Sequence, residues 1–323
     1  MNPYIGHPHQ LYGVEEVRLI GGKGDGMRLF QVHNAAGLAF TVCADRCADI
    51  YRVSYKGVNI SYFAPCGYIG PQYYDDRGKG FLKSFTAGFF TTCGLTNVGP
   101  VCEDEGEELP QHGTIGNQPC ERIWWTETEN TLEIHAIIND SRMFFRKLVL
   151  HRIISCGKYE SWIKISDTVE NQGDQESPVM LMYHMNFGYP LLSEHTQLKI
   201  SSVQVIPCDD YAAEGLDSWH LMPPPQRMAQ EQCYRHTFGQ EGFASVYNPD
   251  IGKGVELHFD PVVVDNMIQW KMPGYRDYAL GLEPGNCSGN GRDMDRKGGT
   301  LKFLQPDEKK TYEVLVRFYE TGE

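Results

Sequence analysis

The chain has 323 residues, a hydrophobic fraction of 41% and a formal net charge of −13. An acidic balance of that size argues against nucleic acid and anionic membrane surfaces as partners, since both attract basic proteins. The length is enough to bury a sizeable core, and no run approaches the ~18 apolar residues that a membrane span needs.

In residues 1–10 no basic stretch is followed by an apolar one, so no signal peptide is expected. The ten cysteines are scattered along the chain. Cys43 and Cys47 form a lone C-x3-C with no second pair at zinc-finger spacing, so no metal is expected there. Reduced thiols in a cytoplasmic protein, a monomer or a homodimer, are the expectation.

In chain order, Gly21-Gly-Lys-Gly-Asp-Gly26 reads as a hairpin turn, because it matches neither glycine-rich phosphate-binding fingerprint. Residues 38–43 alternate as a strand and lead into Asp45-Arg-Cys-Ala-Asp49. Residues 81–95, rich in Phe, Thr and Gly, read as an irregular, close-packed segment. The acidic run 103–108 reads as a solvated loop. Gln111-His-Gly-Thr-Ile-Gly116 reads as a tight loop between Pro110 and Pro119.

Residues 131–138 alternate, with Leu132, Ile134, Ala136 and Ile138 on one face. Residues 145–155 and 159–171 form two further strands around a turn at Cys156-Gly-Lys158. Met180-Leu-Met-Tyr-His-Met-Asn-Phe187 is strand-like and closed by Gly188 and Pro190. A short helix is expected over residues 228–234, after Pro223-Pro-Pro225. Residues 254–259, 278–283 and 312–318 complete the set of strands, the last placing Tyr312, Val314, Val316 and Phe318 together. A period of two with frequent turns predicts an all-β sandwich or barrel. No linker, repeat or composition break divides it, so residues 1–323 are expected to form a single domain.

Four places put reactive side chains into this β pattern. Arg46 with Asp45 and Asp49 is either a salt-bridged strand end or a fork that binds hydroxyls or an anion. His112 sits in its loop. His184 and Asn186 share a strand face, either as buried groups satisfied by backbone or as part of a site. Glu283 ends a strand, where burial raises a carboxyl's pKa and suits it to take a proton. No nucleophile elbow, Walker loop or dinucleotide fingerprint is present, so proton transfer without a cofactor is the leading reaction class.

Tyr183-His-Met-Asn-Phe-Gly-Tyr-Pro-Leu-Leu192 resembles the aldose 1-epimerase (galactose mutarotase) superfamily, and more closely a bacterial branch described as a domain of unknown function. Arg46-Cys-Ala-Asp-Ile50, Gly88-Phe-Phe-Thr-Thr-Cys-Gly-Leu95, His112-Gly113 and Gly281-Leu-Glu-Pro284 follow in the matching order. The resemblance covers most of the chain. It implies a sandwich of large twisted antiparallel sheets with few short helices, and a site in an open cleft on one concave sheet. It implies a small-molecule sugar substrate, interconversion of anomers, and no cofactor. Glu283 would be the base, His184 the acid across the width of one pyranose, and His112 a group that orients the substrate. Arg46, Asp49, Asn186, Gln269, Trp270, Lys271 and Arg292 would bind it.

The chain departs from the usual pattern around the acid and carries additional cations at Lys271, Arg292 and Arg296. These cations suggest an acidic, phosphorylated or otherwise modified sugar. Two other readings stay open: a non-catalytic sugar-binding protein on the same fold, and a metal-dependent isomerase or lyase with His112, His184 and Glu283 as ligands.

Overall fold

The computed structural model describes residues 3–321. Met1 and Asn2, which open the stretch read for a signal peptide, lie outside them. Among the described residues no helix is long and apolar enough to cross a membrane.

Two large antiparallel sheets carry the fold. The smaller, of eight strands, runs in spatial order through Arg122–Glu127, Thr131–Ser141, Lys147–Gly157, Trp162–Asn171, Lys309–Glu320, Lys253–Phe259, Gly242–Asn248 and Gln197–Ile200. The larger, of twelve, has at its centre Asp49–Tyr55, Phe90–Leu95, Ser177–Phe187, Tyr278–Gly285, Asn266–Pro273 and Gln232–Phe238. The two α-helices among the described residues are short, Asp210–Glu214 and Arg292–Lys297.

Alternation explains the smaller sheet. Leu132, Ile134, Ala136 and Ile138 are buried, as are Tyr312, Val314, Val316 and Phe318, while their neighbours are more exposed. They pack against Tyr183, Met185, Leu280 and Leu282 of the larger sheet in one apolar cluster. Each fully buried side chain of this kind is worth about 1.5–3 kcal/mol over an exposed one.

The larger sheet is covered on both faces at its centre, and there the alternation disappears. Phe90–Leu95, expected to be irregular, is a central strand in which every residue is buried. A strand with two covered faces reads as a continuous apolar run. The helix expected over residues 228–234 is not formed. Gln232–Phe238 is a strand instead, paired with Asn266–Pro273. The acidic run at 103–108 is a hairpin rather than a solvated loop: Cys102–Asp104 pairs with Glu107–Leu109.

One buried network joins the two sheets. Arg152 of the smaller sheet donates to both carboxylate oxygens of Asp167, at 2.8 and 2.6 Å, and to Asp49 of the larger sheet at 3.1 Å.

Candidate active site

Strand direction decides what the centre of the larger sheet shows to solvent. Tyr183, Met185 and Phe187 enter the core between the sheets. Met180 and Met182 lie on the opposite face, in a second cluster with Cys93, Val98 and Ile268. His184 shares that outer face, because side chains alternate along a strand. The pairings Met182 with Gly285 and Met185 with Leu282 place His184 opposite Glu283. His184 Nε2 is 3.1 Å from Glu283 Oε1. Both residues are nearly sealed from solvent, 5% and 2% exposed. Yet His184 Nδ1 and Glu283 Oε1 have no hydrogen-bond partner. Buried polar groups are nearly always paired, so two orphans side by side mark a place that a ligand completes.

His112 arrives from a loop pinned to the neighbouring strand. Its carbonyl accepts from Gly94 N and its amide donates to Gly99 O, both at 2.9 Å. Gly113 has φ +71°, and a Cβ there would collide with Gly94 O, so no other residue lets the loop lie this close. Gly99 N donates to His112 Nδ1 at 3.3 Å. The ring's remaining proton therefore sits on Nε2, which makes it a donor. The His112 and His184 rings are 5.8 Å apart. Phe81 packs on His112 and Phe85 on His184, each at 5.0 Å, and Trp270 lies 5.6 Å from His184.

Dryness sets the protonation of this group. Burial pushes Glu283 well above the usual carboxylate range, helped by the nearby charge of Glu231. Burial lowers His184 to about 3, with His112 adding to the effect and Asn186 opposing it. Burial alone lowers His112 to about 4. Burial thus favours the uncharged form of all three, a protonated Glu283 beside two neutral imidazoles. The sequence expectation was an ionised base facing a protonated acid across the width of a sugar. The pair instead touches, Nε2 to Oε1, and burial favours the uncharged form of each member.

The pair opens into a cleft of about 950 Å³ that Tyr62, Phe81, Phe85 and Trp270 also line. Sequence reading missed most of this lining. The aromatic-rich Phe81-Leu-Lys-Ser-Phe85 was the available signal. The acidic residues Asp209, Glu231 and Asp277 carried none, since loops and strand ends bring them in.

Several residues expected to bind substrate lie elsewhere. Arg46 donates to three carbonyls, Gly116 at 2.9 Å, Ile69 at 3.0 Å and Ser84 at 3.1 Å, so its fork ties loops together. Asp49 is held by Arg152 and Thr92. Arg292 is clamped by Asp104 and Glu107, and Arg296 by Asp104 and Glu105. Gln269 and Lys271 alternate with Trp270 and so face away from the cleft. Gln269 engages His236 and the carbonyl of Trp219, and Lys271 donates to the carbonyl of Ser218. Burial lowers Lys271 to about 8. Asn186 is fully buried on the strand face that His184 shares and donates to the main-chain carbonyl of His184, while its Oδ1 has no partner.

The cations that suggested an acidic sugar are thus engaged outside the cleft, and Lys79 is the one cation on its lining among the described residues. Nor do the described residues hold any group of three His, Cys, Asp or Glu side chains arranged for a metal, so His112, His184 and Glu283 do not form the ligand triad that was one of the open readings.

A family model described as a domain of unknown function (DUF4432) matches residues 24–317. No curated protein matches the chain significantly. Among solved structures, a candidate aldose 1-epimerase from Klebsiella pneumoniae superposes with a TM-score of 0.89 at 21% identity, over 96% of this chain and 84% of that one. A galactose mutarotase-like protein from Clostridium acetobutylicum gives 0.69 at 12% identity, over 97% and 100%. Galactose 1-epimerase from Lactobacillus acidophilus gives 0.66 at 14%, over 96% and 99%. At these identities the likeness establishes the fold, a mutarotase-like β-sandwich.

Proposed function

The chain belongs to the DUF4432 family, and we propose that it is an aldose 1-epimerase-like enzyme that interconverts the anomers of a sugar by acid–base ring opening. The observation that carries this reading is the His184–Glu283 pair at the floor of an open cleft: Nε2 and Oε1 lie 3.1 Å apart, and His184 Nδ1 and Glu283 Oε1 have no hydrogen-bond partner. The names of the structural relatives point the same way.

The chemistry follows from where the proton rests. In a cyclic sugar the anomeric hydroxyl and the ring oxygen are attached to one carbon. A donor and an acceptor that are near neighbours can therefore reach both at once, and no pyranose-wide gap is required. Neutral His184 takes the anomeric proton while protonated Glu283 gives its proton to the ring oxygen. The bond between the anomeric carbon and the ring oxygen breaks, leaving an open-chain aldehyde. Rotation about the next carbon–carbon bond presents the other face. As the ring closes, the carboxylate takes back the proton of the hydroxyl that attacks the aldehyde carbon, and the imidazolium returns its proton to the aldehyde oxygen. These roles reverse those implied by the family resemblance, because burial favours the uncharged form of each group. His112, a neutral donor through Nε2, is placed to hold the developing aldehyde oxygen. Positioned acid and base groups typically contribute about 10²–10⁴-fold each.

Anomer exchange followed by polarimetry or saturation-transfer NMR tests the proposal. The wild type should accelerate exchange above buffer and Glu283→Gln should abolish the acceleration. Saturable sugar binding without any acceleration would favour a binding protein on this fold.

A further inference from the structure

The cleft has an unusual charge balance for a sugar site suspected of binding anions. Asp209, Glu231 and Asp277 lie on its lining against the single, exposed Lys79, with Glu283, held in its uncharged form by burial, at the floor. None of Asp209, Glu231 and Asp277 forms an ion pair among the described residues. Their contacts are with neutral groups: Asp209 accepts from Ala212 N, Glu231 from Trp270 Nε1 at 2.9 Å, and Asp277 faces the Tyr62 hydroxyl at 3.3 Å. Arg235 follows Cys233 on the same strand face but lies outside the lining. Asp209, Glu231 and Asp277 are all exposed to solvent, unlike the buried acids that the molecule pairs with arginine at Asp104 and Asp167.

Much of the remaining wall is aromatic. Tyr62, Phe81, Phe85 and Trp270 present ring surface to the same space. Aromatic faces attract cations through their quadrupole, and a low-dielectric cleft lined by one sign of charge focuses its field on the ligand. The floor adds an independent sign of a ligand, because Glu283 is only 2% exposed and its Oε1 has no hydrogen-bond partner.

We infer that the cleft takes a sugar bearing a protonated amine, rather than a sugar acid or a sugar phosphate. The inference rests on the proposed reading for the sugar itself, and adds the charge of the substituent. The amine is held by Glu231 and Asp277 with the aromatic walls, while the anomeric centre lies over His184 and Glu283.

Calorimetric titration at about pH 6.5 and low salt, with a 2-amino-2-deoxyhexose, its N-acetyl derivative, the parent hexose and the hexose 6-phosphate, tests it. The free amine should bind at least about tenfold tighter than the N-acetyl sugar or the hexose, and the phosphate should bind most weakly. The preference should shrink with added salt. Glu231→Gln with Asp277→Asn should erase it. If that double variant does not fold, the salt series and the N-acetyl comparison on the wild type decide. Equal affinity for amine and N-acetyl sugar, tighter phosphate binding, or no binding of any of the four overturns the inference. Accelerated exchange of the plain hexose with no amine preference would overturn it and leave the epimerase reading standing. Amine-selective binding with no exchange would do the reverse.

Discussion

Gly281 and Glu283 share the cleft face of one strand, and the space left by the first is occupied by the carboxyl of the second. A Cβ built on Gly281 would overlap Glu283 Oε1 and press on Trp270 Cβ at 3.1 Å. Gly281→Ala should therefore swing the carboxyl away from His184. The atom that must move is the free end of a flexible side chain, so stability should change by less than about 1 kcal/mol. Anomer exchange should fall by roughly 10²-fold, since a catalytic group displaced by an ångström loses about that much. A variant that keeps full exchange would separate Glu283 from the chemistry.

The protonation of the pair predicts how stability varies with pH. Glu283 keeps its proton in the folded chain at pH values where the unfolded chain has released it. Its contribution is complete below the unfolded value of 4.5 and declines as pH rises toward the folded one. Glu283→Gln removes that decline. The variant should gain on the order of 1–3 kcal/mol over wild type at pH 8 and little at pH 4, in denaturant melts at both values. A gain that is the same at both would mean that the carboxyl is ionised in the fold.

Activity should show the matching signature. His184 and His112, lowered to about 3 and about 4, stay neutral far below the ordinary histidine range. Their stabilising contribution is complete above 6.5 and is lost as pH falls toward those values. The exchange rate should therefore be flat from about pH 5 to 7, with its acid limb below about 5. An acid limb centred near 6.5 would show a solvated imidazole and contradict the dry pair. That limb belongs to the coupled groups rather than to either residue alone.

How much of this was legible beforehand depended on which faces meet water. Leu132 to Ile138 and Tyr312 to Phe318 alternate because one face of their sheet is more open, and their strands could be read directly. Phe90–Leu95 is buried on both faces and gave no period to read. His112, His184 and Glu283 stand out as polar residues in apolar or tight surroundings, and the fold brings them together. Arg46 and Arg292 stood out equally but answer to partners far away in the chain. Arg292 and Asp104 are 188 positions apart, and Arg46 meets carbonyls, which no composition signals. Local sequence shows where a charge is unusual. It does not show whether a substrate or another part of the chain meets it.

Arg46 illustrates the difference experimentally. Its guanidinium holds the segment carrying Phe85, through Ile69 and Ser84, and the turn after His112, through Gly116. Lysine cannot reach three carbonyls in a fixed fork. Arg46→Lys should lower stability by about 1–3 kcal/mol, the range for leaving a buried acceptor unpaired. It should also raise hydrogen exchange across residues 69–86 and 112–118, and weaken sugar binding through loosened walls. Weaker binding with unchanged stability and exchange protection would return Arg46 to a direct role in the cleft.

Arg152 is the corresponding test on the other side of the sheet. Its side chain is wholly buried, bonded to both oxygens of Asp167 and, through Nη1, to Asp49 and the carbonyl of Cys47. Asp49 also accepts from Thr92, the neighbour of the Thr91 that pairs with His184. Burial raises Asp49 to about 6 even with the guanidinium beside it, so its own contribution to stability is lost as pH rises from 3.8 through that value. Arg152→Met leaves two buried carboxyls without a cation. Breaking a buried pair in this way costs about 3–5 kcal/mol. The deficit should be smaller at pH 5 than at pH 8, because added protons relieve two carboxyls that cannot both stay charged without the arginine. Combining it with Asp49→Asn should recover part of the alkaline loss. A deficit below about 1 kcal/mol, or one independent of pH, would mean that apolar packing alone joins the sheets.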